Sequence, residues 1–104
     1  MSIYGEWLAA TIASGAFTSS EVNLGKDYDY LSVEIPEMDK CYLYLKVAET
    51  SGGTFYDLGK ETMTNEETFN HADVWRLGGF MYIKVAATAG QTAERLIRVR
   101  GMRY

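Results

Sequence analysis

Cysteine, proline and histidine each occur only once in the 104 residues. A single cysteine, Cys41, rules out an intrachain disulfide, and one cysteine with one histidine gives too few ligands for a zinc site. Cys41 stands in phase with Leu43 and Leu45, as a small buried apolar residue would, and a disulfide-free chain fits a reducing compartment. No stretch approaches the roughly eighteen apolar residues of a membrane helix, and no membrane partner is expected. The segment W-L-A-A-T-I-A-S-G-A near the N-terminus lacks a basic leader, follows Glu6 and contains Thr11. It reads as a strand rather than a signal peptide. Positive charge is also short: ten Lys and Arg stand against fourteen Asp and Glu, a net charge of −4. No nucleic-acid partner is expected, because polyanion binding needs a basic field.

Catalytic chemistry is equally sparse. No G-x-S-x-G elbow is present, and no glycine-rich phosphate loop precedes a helix. The lone His71 lies in an irregular acidic stretch, where such a residue is ordinarily just a loop histidine. Asp27, Asp29 and Glu34, or Glu61, Glu66 and Glu67, offer oxygen ligands for calcium, but neither group has the loop spacing of a calcium motif. Both read as solvated acidic loops. The expectation is a non-enzymatic domain with no cofactor and no metal.

What is present is β-periodicity. At 104 residues, with 47% hydrophobic and 23% charged residues, the chain has the size and composition of one globular domain. Residues 6–14 alternate as Trp7, Ala9, Thr11, Ala13 against Leu8, Ala10, Ile12, Ser14; a short helix competes, and Ser14-Gly15 favours the strand. Residues 18–24 form a polar strand. Residues 29–35 place Leu31, Val33 and Ile35 on one face, and Pro36 ends the run because proline cannot donate to a ladder. Residues 41–49 place Leu43, Leu45 and Val47 inward, and Ser51-Gly52-Gly53 turns the chain into a short partner at 54–58. Residues 59–78 are irregular, with a candidate strand at 62–64 and a single helical turn within 70–77. Residues 80–88 point Met81, Ile83 and Val85 inward, and residues 94–100 do the same with Ile97 and Val99. Seven or eight short antiparallel strands, with no long helix, predict an all-β sandwich or jelly roll across residues 1–104.

The outward residues carry the functional signal. Eight of the aromatic residues are tyrosines. Tyr30, preceded in phase by Tyr28, leaves one strand; Tyr42, Tyr44 and Lys46 leave the next; Phe80, Tyr82 and Lys84 leave a third. If these strands share a sheet, its outer face is a tyrosine-rich belt. Tyrosine couples an apolar body to a polar tip and is enriched at interfaces. Tyrosines also suit cross-strand pairing on a wet sheet, so the belt is either a contact surface or simple decoration. As a contact surface it fits other protein subunits, or glycans stacking on the rings. A second stripe, Arg95, Arg98, Arg100 and Arg103, closes the chain, while Glu61, Glu66, Glu67 and Asp73 cluster in the middle. Arg98 and Arg100 point outward and suit an acidic protein surface; plain solvent exposure is the competing account.

Several motifs in order along the chain add a resemblance. I-A-S-G-A-F-T-S-S-E-V-N-L-G (12–25), L-x-V-x-I-P (31–36), G-G-T-F-Y-D-L (52–58), Y-I-K-V (82–85) and Q-T-A-E-R-L-I-R-V-R (91–100) resemble small β-sandwich virion proteins of tailed bacteriophages. The family's loops more often carry alanine and glycine where this chain has acidic residues and tyrosine. The resemblance implies a non-enzymatic structural component, assembled in a bacterial cytoplasm and resident in the virion. Its partners would be other virion proteins, the major capsid protein or tail proteins, and copies of itself in a small homo-oligomer. A capsid decoration subunit is the leading expectation, a tail or fibre component the next, and a carbohydrate-binding module the rival from another class.

Overall fold

The computed structural model describes residues 3–39, 41–58 and 70–103. Among them the strands are β1 (Ile3–Tyr4), β2 (Leu8–Ile12), β3 (Val22–Asn23), β4 (Tyr30–Ile35), β5 (Leu43–Ala48), β6 (Tyr56–Asp57), β7 (His71–Arg76), β8 (Tyr82–Ala87) and β9 (Arg95–Arg103). They form two antiparallel sheets, and no helix occurs among the described residues. The first sheet is built around β9. Its one flank pairs with β4, which pairs in turn with β7; its other flank takes β1 and then β2 along the same side. The second sheet runs β3-β8-β5-β6. The expected all-β sandwich is the observed architecture.

Alternation decides what lies between the sheets. Leu31, Val33 and Ile35 of β4, Ile97 and Val99 of β9, and Ala10 and Ile12 of β2 are buried from one side. Leu43, Leu45 and Val47 of β5 and Ile83 and Val85 of β8 are buried from the other, all in one continuous apolar cluster. Each fully buried Leu, Ile or Val contributes about 1.5–3 kcal/mol by leaving water, which makes this shared layer the main source of stability. The period of two holds because a one-residue slip would turn the whole apolar set to solvent.

The helical turn expected within 70–77 is not there. That segment is β7, in register with β4 from Tyr30↔Arg76 to Ile35↔His71. Trp75 and Leu77 are buried while Ala72, Val74 and Arg76 are exposed, a strand's period that Asn70 and the acidic run before it obscured. The strand expected at 62–64 lies outside the described residues. Between β7 and β8 the chain passes from one sheet to the other through Gly78 and Gly79, both with positive φ (74° and 87°), a conformation that a Cβ disfavours.

A polar knot fixes the loops that precede β5 and β9. Gln91 is 1% exposed; its Oε1 accepts the Asp39 N–H (2.8 Å) and its Nε2 donates to the Ala89 carbonyl (3.1 Å). The Asp39 carboxylate accepts the Thr92 N–H (2.6 Å) and pairs with Arg95 (2.9 Å). Thr92, first through its N–H and then its hydroxyl, with Arg95 behind, holds the Asp39 carboxyl below the usual range. Cys41 is buried beside Gln91, and burial pushes its thiol up.

Candidate functional site

The outward tyrosines do not form one belt. Tyr30 is in the first sheet, whereas Tyr44, Lys46, Tyr82 and Lys84 belong to the second, with Tyr42 just ahead of β5. Strand order is set by pairing between distant segments, which local alternation does not encode. Tyr28 is not outward at all. The chain bends at Asp29, ending the alternation, and the Tyr28 ring is 5% exposed. Two glycines make its slot: a Cβ on Gly5 would stand 2.7 Å from the Tyr28 hydroxyl, and one on Gly101 would overlap the ring. Phe80 likewise precedes its strand and packs, half-buried, against the core.

On the second sheet, the outward lysines are satisfied by their neighbours, while the Tyr42 and Tyr56 side chains stay exposed. β5 and β8 are neighbours, with Tyr44 opposite Ala86, Lys46 opposite Lys84 and Ala48 opposite Tyr82. Ala86 and Ala48 are buried although they lie on the outer side, so the flanking side chains cover them. Two lysines directly opposed repel each other. Lys46 is compensated by Asp57 at 2.8 Å, the hydrogen bond that chiefly raises its pKa. Lys84 sits 4.6 Å over the Phe55 ring and near Glu21, whose carboxyl is held low by the Gly52 N–H and then the Ser51 hydroxyl. Lys46 also lies 5.4 Å over the Tyr44 ring.

The outer face of the first sheet is built differently, and the difference begins with a bulge. β1 pairs Tyr4 with Met102, and β2 pairs Leu8 with Val99. Three residues, Gly5, Glu6 and Trp7, therefore oppose two, Arg100 and Gly101. An extra residue in one strand of a ladder re-aims the side chains around it. Here it lets Tyr4 point out and Leu8 point in, and it brings the Trp7 ring over the outer face. The Arg100 guanidinium lies 4.7 Å from the Tyr4 ring and 4.7 Å from the Trp7 ring, and the Arg98 guanidinium lies 5.1 Å from Trp7.

The arginines of β9 are not equivalent. Arg95 pairs with Asp39, Arg98 with Glu34 at 3.2 Å, and Arg103 with Asp27 at 2.8 Å. Arg100 has no carboxylate partner among the described residues, and its Nε is buried without an acceptor. Around it the face carries exposed apolar groups: Tyr4, Val74 and Leu96 are each more than half exposed. Ser32 stands opposite Arg100 in register and Val74 stands opposite Ser32. A shallow cavity of about 490 Å³ opens beyond Arg98, lined by Glu34, Pro36, Ala72 and Leu96 among others. A second, of about 410 Å³, lies at Asp29, Tyr30, Arg76 and Gly78.

Arg98 and Arg100 are thus outward as expected, on the face opposite Tyr42, Tyr44 and Tyr82. Tyr4 and Trp7, the rings that hold Arg100, are not among the residues the alternation singles out. The available signal was Trp7 in phase with Ala9 and Thr11, an indole on the polar side of its strand.

No family model matches the chain, and no curated protein matches it in sequence. Solved structures do share its shape. The SPBc2 prophage-derived protein YomS superposes with a TM-score of 0.64 at 11% identity, over 98% of this chain and 95% of that one. A chain of the cyanophage Pam1 capsid asymmetric unit gives 0.41 at 15% identity, over 98% and 81%. A carbohydrate-binding module from the family 9 glycoside hydrolase Cel9A of Ruminococcus flavefaciens FD-1 gives 0.49 at 8% identity, over 93% and 98%. The first of these likenesses establishes that the fold of this chain is shared with a prophage-derived protein.

Proposed function

We propose that this chain is a non-enzymatic structural subunit of a tailed-phage particle, a capsid decoration protein that attaches to another virion protein through the outer face of its first sheet. The observation that carries this reading is Arg100, a guanidinium held 4.7 Å from each of two rings, without a carboxylate of its own among the described residues, on a face that also exposes Val74 and Leu96. Clamping lowers the entropy lost when an arginine is captured, and arginine with aromatic neighbours is the composition of interface centres. The fold shared with a prophage-derived protein supports the phage setting. Attachment in many copies, as a small oligomer, makes a modest contact effective through avidity.

A glycan-binding role finds less support. Sugar stacking needs open ring faces set together, and here Arg98 and Arg100 lie over Trp7, Lys84 over Phe55 and Lys46 over Tyr44, while the exposed Phe17, Tyr42 and Tyr56 line neither cavity. Neither cavity joins two aromatics to convergent carboxylates.

The test is co-sedimentation of the purified chain with phage particles that lack it. The wild type is expected to bind, and to bind less as salt rises through physiological strength, where the screening length is about 8 Å. Arg98→Glu with Arg100→Glu should weaken binding by roughly tenfold or more, by setting like charges against an acidic surface. Binding indifferent to both salt and charge reversal removes this face from the attachment.

A further inference from the structure

The face of β9 specifies more than a general acidic partner. Its outward side chains follow one another at intervals of two residues: Arg100, Arg98, Leu96. Their chemical states differ. Arg100 lacks a carboxylate among the described residues, Arg98 is already held by Glu34 at 3.2 Å, and Leu96 is 51% exposed at the lip of the 490 Å³ cavity. Along a strand the three positions are spaced at about 6.6 Å intervals, and an extended partner segment lying over the face repeats that spacing.

We infer that this face takes an extended segment of a different protein with the pattern acid–x–neutral–x–apolar. The acid meets Arg100, the neutral residue lies over the Arg98–Glu34 pair, and the apolar residue lies against Leu96. This deepens the attachment reading and rests on it for the identity of the partner as a virion protein. Each position follows from the chemistry beneath it. Of the Arg100 guanidinium nitrogens, Nε alone is both buried and unpartnered, so a carboxylate meets the terminal nitrogens, whose planar fork suits both of its oxygens. The Tyr4 and Trp7 rings, each 4.7 Å from the guanidinium, restrict that fork before the partner arrives. A second acid at the middle position would face Glu34 and be repelled. Next to Leu96, in a cavity also lined by Ala72 and Pro36, an apolar side chain loses water that a charged one would keep.

Two other occupants fit less well. A nucleic acid presents a run of phosphates, whereas this face offers one arginine without a carboxylate among the described residues, beside a glutamate, on a chain of net charge −4. A second copy would have to supply the same acid–x–neutral–x–apolar pattern on an accessible extended segment; Glu34, Ser32 and Tyr30 on the outer face of β4 come nearest, but that strand is paired on both edges and Glu34 is already held by Arg98.

The experiment is a titration of the full chain with two blocked peptides, acetyl-Asp-Thr-Ser-Thr-Leu-amide and acetyl-Leu-Thr-Ser-Thr-Asp-amide, which cover both chain directions. The readout is the ¹⁵N–¹H resonance of the buried Arg100 Nε–H. One of the two is expected to shift it saturably at millimolar concentration. Replacing the peptide's Asp by Asn, or its Ser by Asp, should weaken binding by at least fivefold. In the protein, Arg100→Lys should weaken it by at least fivefold, with the fold verified by circular dichroism. Arg98→Gln should weaken it by less than twofold, since Arg98 is already occupied. No shift from either peptide at 10-fold excess over about 1 mM protein overturns the inference, as does equal loss in Arg98→Gln and Arg100→Lys. A stronger response to inorganic phosphate or an oligothymidylate assigns the face to a polyanion and overturns it too. Self-association in sedimentation velocity that Arg100→Lys abolishes gives the face to a second copy, with the same consequence. If the peptide response is intact but wild-type chain ignores phage particles, the virion reading falls and the segment-binding face stands. A silent peptide titration beside intact attachment does the reverse: the segment pattern falls and the virion reading stands.

Discussion

The two outer faces of this sandwich carry similar residue types in opposite states. On the second sheet, Lys46 has Asp57, Lys84 has Phe55 and Glu21 within reach, and Glu21 is in turn held by Ser51 and Gly52. Tyr44 and Tyr82 stand opposite buried alanines and so serve the sheet they stand on, whereas Tyr42 and Tyr56 stay exposed. On the first sheet, a bulge brings two rings against Arg100, which has no counter-charge among the described residues. Aromatic content alone does not separate a contact surface from a shielded sheet. The distinguishing property is whether charges and rings are satisfied from within the face.

The largest expected effect tests the boundary between inner and outer residues on one strand. Leu45 is 1% exposed between the sheets, and Leu45→Ala should cost about 2–5 kcal/mol through lost burial and the cavity left behind. Tyr44→Ala, one residue away on the outer side, should cost about 1 kcal/mol or less, as surface substitutions do. Guanidinium titrations of both variants decide this. Equal losses would make Tyr44 a structural residue and erase the contrast between a core and a face.

That boundary was the legible part. Leu31, Val33 and Ile35, Leu43, Leu45 and Val47, and Ile83 with Val85 announce their inward phase through unbroken alternation, a local property of the chain. What stayed hidden depends on distant pairings. Tyr28 is buried because Gly5 and Gly101, far from it in sequence, leave room for its ring. Tyr30 leaves the expected belt because β4 pairs with β9 and β7 rather than with β5. The clamp on Arg100 comes from a mismatch of three residues against two, visible only once β1 and β2 are aligned on β9. Of the candidate site, Arg98 and Arg100 were readable as outward; Tyr4 and Trp7 needed the register.

The next effect sharpens the comparison between the faces. Trp7→Leu removes one wall of the Arg100 clamp, and cation–π contacts of this kind contribute about 0.5–2 kcal/mol. That contact is made in the free protein, so its loss falls on stability, and attachment should weaken by the ordering cost that Arg100 then meets on binding, about 0.5–1.5 kcal/mol. Phe55→Leu, which removes the ring beneath Lys84, should leave attachment as it was. Co-sedimentation isotherms for both variants check the pair, and equal weakening would mean that both faces take part.

A smaller effect separates either face from the loops that carry it. The Asp39 carboxyl is held low chiefly by the Thr92 N–H, then by its hydroxyl and Arg95. A carboxyl lowered on folding stabilises the fold at pH above its unfolded value, about 3.9, and that contribution is lost as pH falls through the folded value. Asp39→Asn should therefore melt below the wild type at pH 7, and the two melting curves should converge below about pH 4. A gap that persists undiminished at pH 2–3 would trace the loss to packing at Gln91 rather than to the charge.

The smallest expected effect is the most discriminating. Tyr44→Ser changes a residue whose strand neighbours are a compensated lysine and a buried alanine, on the face that already satisfies itself. If the first sheet alone meets the partner, this variant folds, sediments as the wild type does and loads onto particles at wild-type occupancy. Interface centres respond quite differently, since truncating a buried aromatic anchor costs about 2 kcal/mol or more. A variant that folds by circular dichroism yet sediments as a smaller species than the wild type would place a copy-to-copy contact on the second face, with the first still turned toward the particle. A variant that folds and assembles but no longer loads would move the attachment itself to the tyrosines, and the clamp around Arg100 would then be a device of the fold.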